Sequence, residues 1–251
     1  MKNYLQLITL FLFLWLSHAT PLLASTIDET KIEFPLNTTS LMQGNIHTAV
    51  TLADPHELES IYPIFHSIDY AKIGQLYYVK LMLSKYAFYV AKPISAFSKE
   101  EMFNTSGFER ISQNTTVTSA ATPVSEHTIT FTISKNIVLF NISAAVDFSY
   151  YSTSEFNLLP LEKEIVSAFQ KNSSSKPQII TLQRAYDFSK FFQDSTNICG
   201  YWQAGAGTIM SCYTISSINR STYNHFRFFS NFVKQLRSEI LYSINAIRMN
   251  E

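Results

Sequence analysis

The chain has 251 residues, and its 19 Lys+Arg balance 19 Asp+Glu to a formal net charge of zero. That balance excludes the broad basic surface that bulk nucleic-acid binding needs. Charged residues make up only 15% and hydrophobic residues 46%, so the chain fills a core and does not behave as a disordered segment.

Residues 1–19 read as a secretory signal. Lys2 supplies the positive start, Tyr4 to Leu16 is an apolar run interrupted only by Gln6 and Thr9, and Ser17-His18-Ala19 places small residues before a cleavage point. Cleavage after Ala24 is the second position. The run is too short for a membrane span, which needs about 20 apolar residues, and no cysteine follows it to carry a lipid anchor. The expected organisation is therefore a signal at 1–19, an irregular leader over 20–44 and a single α+β domain over 45–251. Export, periplasmic or extracellular, is the expected localisation, with a slightly acidic monomer once Lys2 is removed. Asn-X-Ser/Thr sequons stand at Asn37, Asn104, Asn114, Asn141, Asn172 and Asn219. They are read as the chance product of a chain rich in Asn, Ser and Thr.

Asn45–Ala53 alternates with β-branched residues and predicts a first strand. Asp54, Pro55 and Glu57 then supply an N-cap, a first-turn proline and an N3 acid. Pro63 interrupts the apolar stripe that follows, so two short helices are expected, about 55–62 and 63–69. Gln75–Pro93 predicts two strands joined at Ser84-Lys85, with a helix as the alternative. Residues 94–127 are polar and predict the longest irregular segment. Glu126–Ser134 and Ile137–Tyr151 predict strands turning at Lys135-Asn136. Glu155–Lys171 is ambiguous, with helical spacing at Leu161, Ile165, Val166 and Phe169. Gln178–Gln183 is strand-like, and Arg184–Asp194 is either a short helix or a bulged strand.

The only two cysteines belong to Asn197–Tyr213. A two-residue loop at Gly205-Ala206 puts Gly at the first central position of a type II′ turn. Residues then pair when their numbers sum to 411, so Ala204 faces Gly207, Trp202 faces Ile209 and Cys199 faces Cys212. The cysteines fall on a non-hydrogen-bonded pair, where Cα atoms lie roughly 4.5 Å apart, within the span that a disulfide accepts. A Cys199–Cys212 disulfide suits an exported chain; two buried free thiols are the alternative. Beyond a connection at Ser217–Tyr223, the apolar positions Phe226, Phe229, Val233, Leu236, Ile240, Ile244 and Ile247 recur at helical spacing up to Arg248. Such a helix is about 38 Å long and crosses a whole sheet.

Catalytic signatures are missing. There is no Gly-x-Ser-x-Gly elbow, His56-Glu57-Leu58-Glu59-Ser60 lacks a second histidine, six glycines leave no phosphate loop, and the cysteine spacing is not that of zinc. No catalytic residue, metal ligand or cofactor is assigned. Tyr201 and Trp202 point to opposite faces of the hairpin, so one of them faces inward whichever side the helix takes. The candidate pocket wall is Tyr201, Trp202, Gln203 and Tyr213, with Phe229 and Leu236 opposite on the helix; core filling is the simpler role for the aromatics. Arg220, Arg227, Lys234, Arg237 and Arg248 make the helix basic; a solvated face over a packed core is the simpler reading, and a helix lying on anionic membrane is the alternative.

NIHTAVTLADPHELESIYPIF, CGYWQAGAGTIMSCYTI and the terminal helix together resemble the START-like (SRPBCC) helix-grip superfamily. The resemblance implies a curved antiparallel sheet packed on the long C-terminal helix, with two short helices after the first strand and a cavity between sheet and helix. It implies an apolar small molecule or lipid as partner. The chain departs from the superfamily by its signal, its cysteine pair and its additional residues around 94–127. Two other functions are kept. One is a secreted protein whose 94–127 segment binds a macromolecule; the other is a hydrolase or cyclase using His56, His66 or His127 with a carboxylate.

Overall fold

The computed structural model describes residues 38–53, 58, 79–103, 115–120, 124–137, 140–153, 157–171, 175–219 and 229–249. In chain order the described elements are helix α1 (Thr38–Met42), strand β1 (His47–Leu52), β2 (Val79–Val90), a 3-10 turn (Ile94–Phe97), α2 (Lys99–Phe103), β3 (Thr115–Ala120), β4 (Thr128–Ile137), β5 (Phe140–Ser152), α3 (Pro160–Lys171), β6 (Ile179–Tyr186), β7 (Phe192–Ala204), β8 (Gly207–Asn219) and α4 (Phe229–Met249). The strands form one eight-stranded antiparallel sheet in the order β1-β2-β8-β7-β6-β5-β4-β3. It is curved and unclosed, with β1 and β3 at its edges.

The β7–β8 hairpin has the expected register, with Ala204 opposite Gly207, Trp202 opposite Ile209 and Cys199 opposite Cys212. Gly205 carries φ +59 while Ala206 stays on the negative side, the combination that a type II′ turn requires. The Cys199–Cys212 disulfide is formed, with Cα atoms 4.1 Å apart. A cross-link over a loop of this size stabilises by roughly 2–4 kcal/mol.

Several expectations are corrected. Ser84-Lys85 is not a turn. β2 runs through it, with Ser84 paired to Val50 on one side and Thr214 on the other. A polar residue in mid-strand marks a polar place on the sheet face and no break in the chain. β4 likewise continues past Lys135-Asn136, which pair with Ile142 and Asn141 of β5. Residues 94–127 hold a 3-10 turn, a helix and the edge strand β3. A Thr- and Ser-rich edge strand lacks the alternation that marks a half-buried one. Helix α1 lies inside the stretch read as an irregular leader, and its Leu41 is buried. Arg184–Asp194 is not a helix: it holds the end of β6, a turn with Asp187 and Phe191 at positive φ, and the start of β7, where the register with β8 shifts between Phe192 and Ser195 as the bulged-strand alternative has it. The two helices expected over 55–69 lie outside the described residues, apart from Leu58, which is helical and fully buried.

Alternation along the strands sends side chains to two buried faces. One face carries Leu83, Ala87, Ile180, Leu182, Ile198, Trp202, Ile209, Tyr213 and Ile215, and it is covered by Leu41, Leu58 and Ile165, Val166 and Phe169 of α3. The other carries Phe88, Val90, Val146, Phe148, Tyr150, Cys199, Tyr201, Met210 and Cys212, and it is covered by Ile244 of α4 with Ile240 and Ile247 beside it. Phe97 of the 3-10 turn and Met102 and Phe103 of α2 pack on this second face as well. The segment expected to be a free polar loop thus begins by closing over the sheet.

Candidate functional site

The disulfide, Tyr201 and α4 share one face, and on that face the registers define continuous rows across the strands. Directly opposed residues of an antiparallel ladder share a face. One row runs Thr48, Tyr86, Cys212, Cys199, Thr181 and Tyr150. The next runs Val50, Ser84, Thr214, Asn197, Gln183, Phe148 and Ile129. On the far side of Tyr86 lies a row of Phe88, Met210, Tyr201 and Ile179.

The last of these rows is an apolar floor. Phe88, Met210, Tyr201 and Ile179 are all buried, and the Phe97 ring lies tilted against Tyr201, centroids 5.4 Å apart. Phe103 meets Phe148 and Tyr150 edge-on, at 5.9 and 6.2 Å. The row through Asn197 is different. Ser84, Thr214, Asn197 and Gln183 interrupt the apolar face with neutral hydrogen-bonding groups. Ser84 is buried, but Thr214, Asn197 and Gln183 are only half-buried although they sit on central strands. Phe148 and Ile129 at the end of the same row are buried, as are Cys199, Cys212 and Thr181 in the row beside it.

The polar groups form a network. The Thr214 hydroxyl donates to Asn197 Oδ1 at 2.9 Å, and the Asn197 amide donates to Cys199 Sγ at 3.5 Å. Tyr86 keeps part of its surface accessible, yet its hydroxyl is packed round by protein. That desolvation pushes its pKa up to about 12, against the opposing pull of hydrogen bonds to Asn197 and Thr214. Tyr201 is likewise pushed up by burial, opposed by its hydrogen bond to Thr181 at 3.3 Å and reinforced by Tyr86 and Tyr150 nearby. Thr48 is 1% exposed, and its hydroxyl has no hydrogen-bond partner among the described residues.

Helix α4 fits this division. Its C-terminal half contributes Ile240, Ile244 and Ile247 to the core of the face. Val233 and Leu236, on the same stripe one to two turns earlier, are half-buried and belong to neither core cluster. The stripe therefore has its tightest contacts with the sheet toward the Met249 end.

The residues singled out from the sequence do not share one face. Tyr201 lies on the α4 side. Trp202 and Tyr213 lie on the other, where their rings meet Phe169 of α3 at 5.9 and 6.4 Å, and the Trp202 indole N–H donates to the Ser175 carbonyl at 3.1 Å. Gln203 is a clasp at the hairpin tip. Its amide N–H groups donate to the Gly205 and Gly207 carbonyls at 2.7 and 2.9 Å, and its Oε1 accepts from the Ile94 N–H at 3.0 Å. Leu236 is on the α4 stripe. Phe229 opens α4, and its side chain lies outside the described residues. His127 stands just before β4, its ring 6.3 Å from that of Tyr151, while His56 and His66 lie outside the described residues. Among the described residues no group of His, Cys, Asp and Glu is placed to hold a metal ion.

Tyr86, Asn197, Thr214 and Gln183 escaped the sequence reading. A signal was available for two of them, because Asn197 and Thr214 each stand two residues from a cystine half and so share its face.

The architecture carries its own assignment: a curved antiparallel sheet, opened by β1 and closed against a long last helix. The fold is helix-grip-like. Helix α3, inserted between β5 and β6, adds a layer on the opposite face. No family model and no curated protein matches the sequence. Among solved structures, the Zhui aromatase/cyclase of Streptomyces sp. R1128 aligns at TM-score 0.46 and 9% identity, covering 68% of this chain and 93% of that one. A STAR-related lipid transfer protein from Xanthomonas axonopodis aligns at 0.43 and 7%, covering 70% and 94%. The human StarD13 lipid transfer and protein localization domain aligns at 0.39 and 8%, covering 73% and 96%.

Proposed function

We propose that this protein is exported and binds an apolar small molecule or lipid between the sheet and the N-terminal half of α4, as a monomer and without catalysis. The observation that carries the reading is the half-buried state of Thr214, Asn197 and Gln183. Residues on central strands, beside buried Phe148, Ile129, Cys199, Cys212 and Thr181 on the same face, keep accessible surface where a recess reaches them. Apolar walls around a few convergent polar groups are the usual composition of a small-molecule site. The floor is drawn from Tyr201, Phe88 and Met210, and the helix side from Leu236 and Val233.

Export is supported by the segment 1–19 and by a disulfide, which persists in oxidising compartments. Among the described residues no helix is long and apolar enough to cross a membrane.

Native mass spectrometry of the full-length gene product, recovered from the exported fraction, tests both parts. The expected species begins at Thr20 or Ser25 and carries an additional mass that denaturing conditions release. A retained Met1 contradicts export. A ligand-free mass that stays ligand-free after incubation with a lipid extract contradicts the binding reading.

A further inference from the structure

The rows under α4 say what kind of polar group the ligand carries. Thr48, Tyr86, Thr181, Tyr150, Ser84, Thr214, Asn197, Gln183, Ser195 and Ser216 all lie on this face, and every one is neutral at ordinary pH. Among the described residues the rows contain no Asp, Glu, Lys or Arg. Lys85, Asp147 and Arg184 fall one residue out of phase and so point to the α3 face, while Lys80, paired with Ile218, is in phase with Ser84 and stands one row beyond Ser216. Thr214, Asn197 and Tyr86 bond to one another and Ser195 bonds to Ser216, but two observations show polar capacity left over. Thr48 is 1% exposed and its hydroxyl has no partner among the described residues, a condition that costs about 1–3 kcal/mol unless something bonds it. Gln183 is half-buried on a central strand, between Asn197 and Phe148.

An ionised headgroup brought into these rows loses its hydration and meets no opposite charge within them, which is among the most unfavourable transfers in protein chemistry. A hydroxyl or carbonyl meets donors and acceptors of its own kind. Resting on the proposed binding function, we infer that the site selects amphiphiles whose single polar group is a neutral hydroxyl or carbonyl, and that Asn197, Thr214 and Gln183 receive that group. Arg237 and Glu239, half-buried on α4, adjoin the helix stripe, and Lys80 stands one row farther along the sheet face; a preference for an ionised ligand would have to come from them.

The test uses matched pairs that share a body and differ only in charge: hexadecanol with hexadecanoate, and a steroid alcohol with its sulfate ester. Each pair is offered at equal concentration to the full chain at pH 8, and the retained ligand is read by native mass spectrometry. The neutral member of at least one pair is expected to be retained at least tenfold over its charged partner. The double substitution Asn197→Leu with Thr214→Val should bring that ratio to near one while the chain keeps its circular dichroism spectrum. A second variant, Gln183→Leu, lies outside the disulfide network and should lower the ratio without altering the melting temperature. Equal retention, or retention of the charged members, overturns the headgroup inference while leaving ligand binding in place. Retention of none of the four overturns the binding function itself.

Discussion

At Gly200 a Cβ atom would stand 2.6 Å from the Trp202 indole and 3.0 Å from the Phe169 ring. The glycine is there because the tryptophan two residues on folds back over it, and α3 closes the same spot from above. Gly200→Ala should therefore destabilise the chain by about 1–3 kcal/mol, the usual cost of overfilling a packed region, measured as a lowered denaturant midpoint. A residue on the far face has this tight environment, while Asn197, three positions earlier in the same strand and on the α4 face, keeps accessible surface. The tyrosines give a second prediction at this scale. Tyr86 holds its proton to about pH 12 in the folded chain, because burial penalises the phenolate, whereas an unfolded tyrosine loses it near 10. Between those values the unfolded state binds fewer protons than the folded one, so stability is full below pH 10 and falls as the pH rises toward 12. Tyr201, pushed up by burial as well, acts in the same direction. Melting temperatures measured from pH 9 to 11 should decline, and Tyr86→Phe should make the decline shallower; an unchanged slope would remove Tyr86 from the buried network.

Among the elements, the hairpin was the most legible from sequence and α4 the next. A two-residue loop leaves no freedom in register, so Gly205 and the cysteine spacing together specify every pair from Ala204–Gly207 to Cys199–Cys212. Helical spacing likewise marks α4 without ambiguity. Which sheet face each element covers was not legible, because alternation separates Tyr201 from Trp202 but does not say which of them the helix meets. That choice depends on α3 and on Leu41 and Leu58, distant in sequence, filling the other side. Ser84 misled for a related reason: a serine that faces a polar row inside the protein has the same local pattern as one in a turn. In the segment after β2, Phe97, Met102 and Phe103 were the visible hints of an inward-facing turn and helix, diluted by the Ser, Thr and Asn around them. Helix α4 itself yields a contrast. Ile244 is 2% exposed within the core, so Ile244→Ala should cost about 2–5 kcal/mol. Leu236, half-buried and outside both clusters, should cost roughly 1 kcal/mol when changed to Ala yet weaken retention of an apolar ligand. Equal losses of stability in urea titrations would mean that the helix packs down evenly and leaves no room.

At the scale of the molecule, the sheet is covered on both faces but unevenly. The α3 face is close-packed around Leu83, Ala87, Ile198, Trp202, Ile209, Tyr213 and Ile215, with Lys85, Ser211, Ser217 and Thr196 among them in register, and toward the β4–β6 strands Thr130 and Tyr186 bond to Asp147. The α4 face is sealed at one end by Ile244, Phe97 and Phe88 and turns polar toward the other. A ligand on the α4 face would touch Val233, Leu236 and Ile240, and it would leave Ile165 and Val166 of α3, across the sheet, undisturbed. Methyl-labelled chain titrated with hexadecanol and followed by NMR separates the two sides in one experiment. The expected result is shifts and ligand cross-peaks at Val233, Leu236 and Ile240 with none at Ile165 and Val166; cross-peaks at the α3 methyls, or an unchanged spectrum at saturating hexadecanol, would contradict a binding site between the sheet and α4.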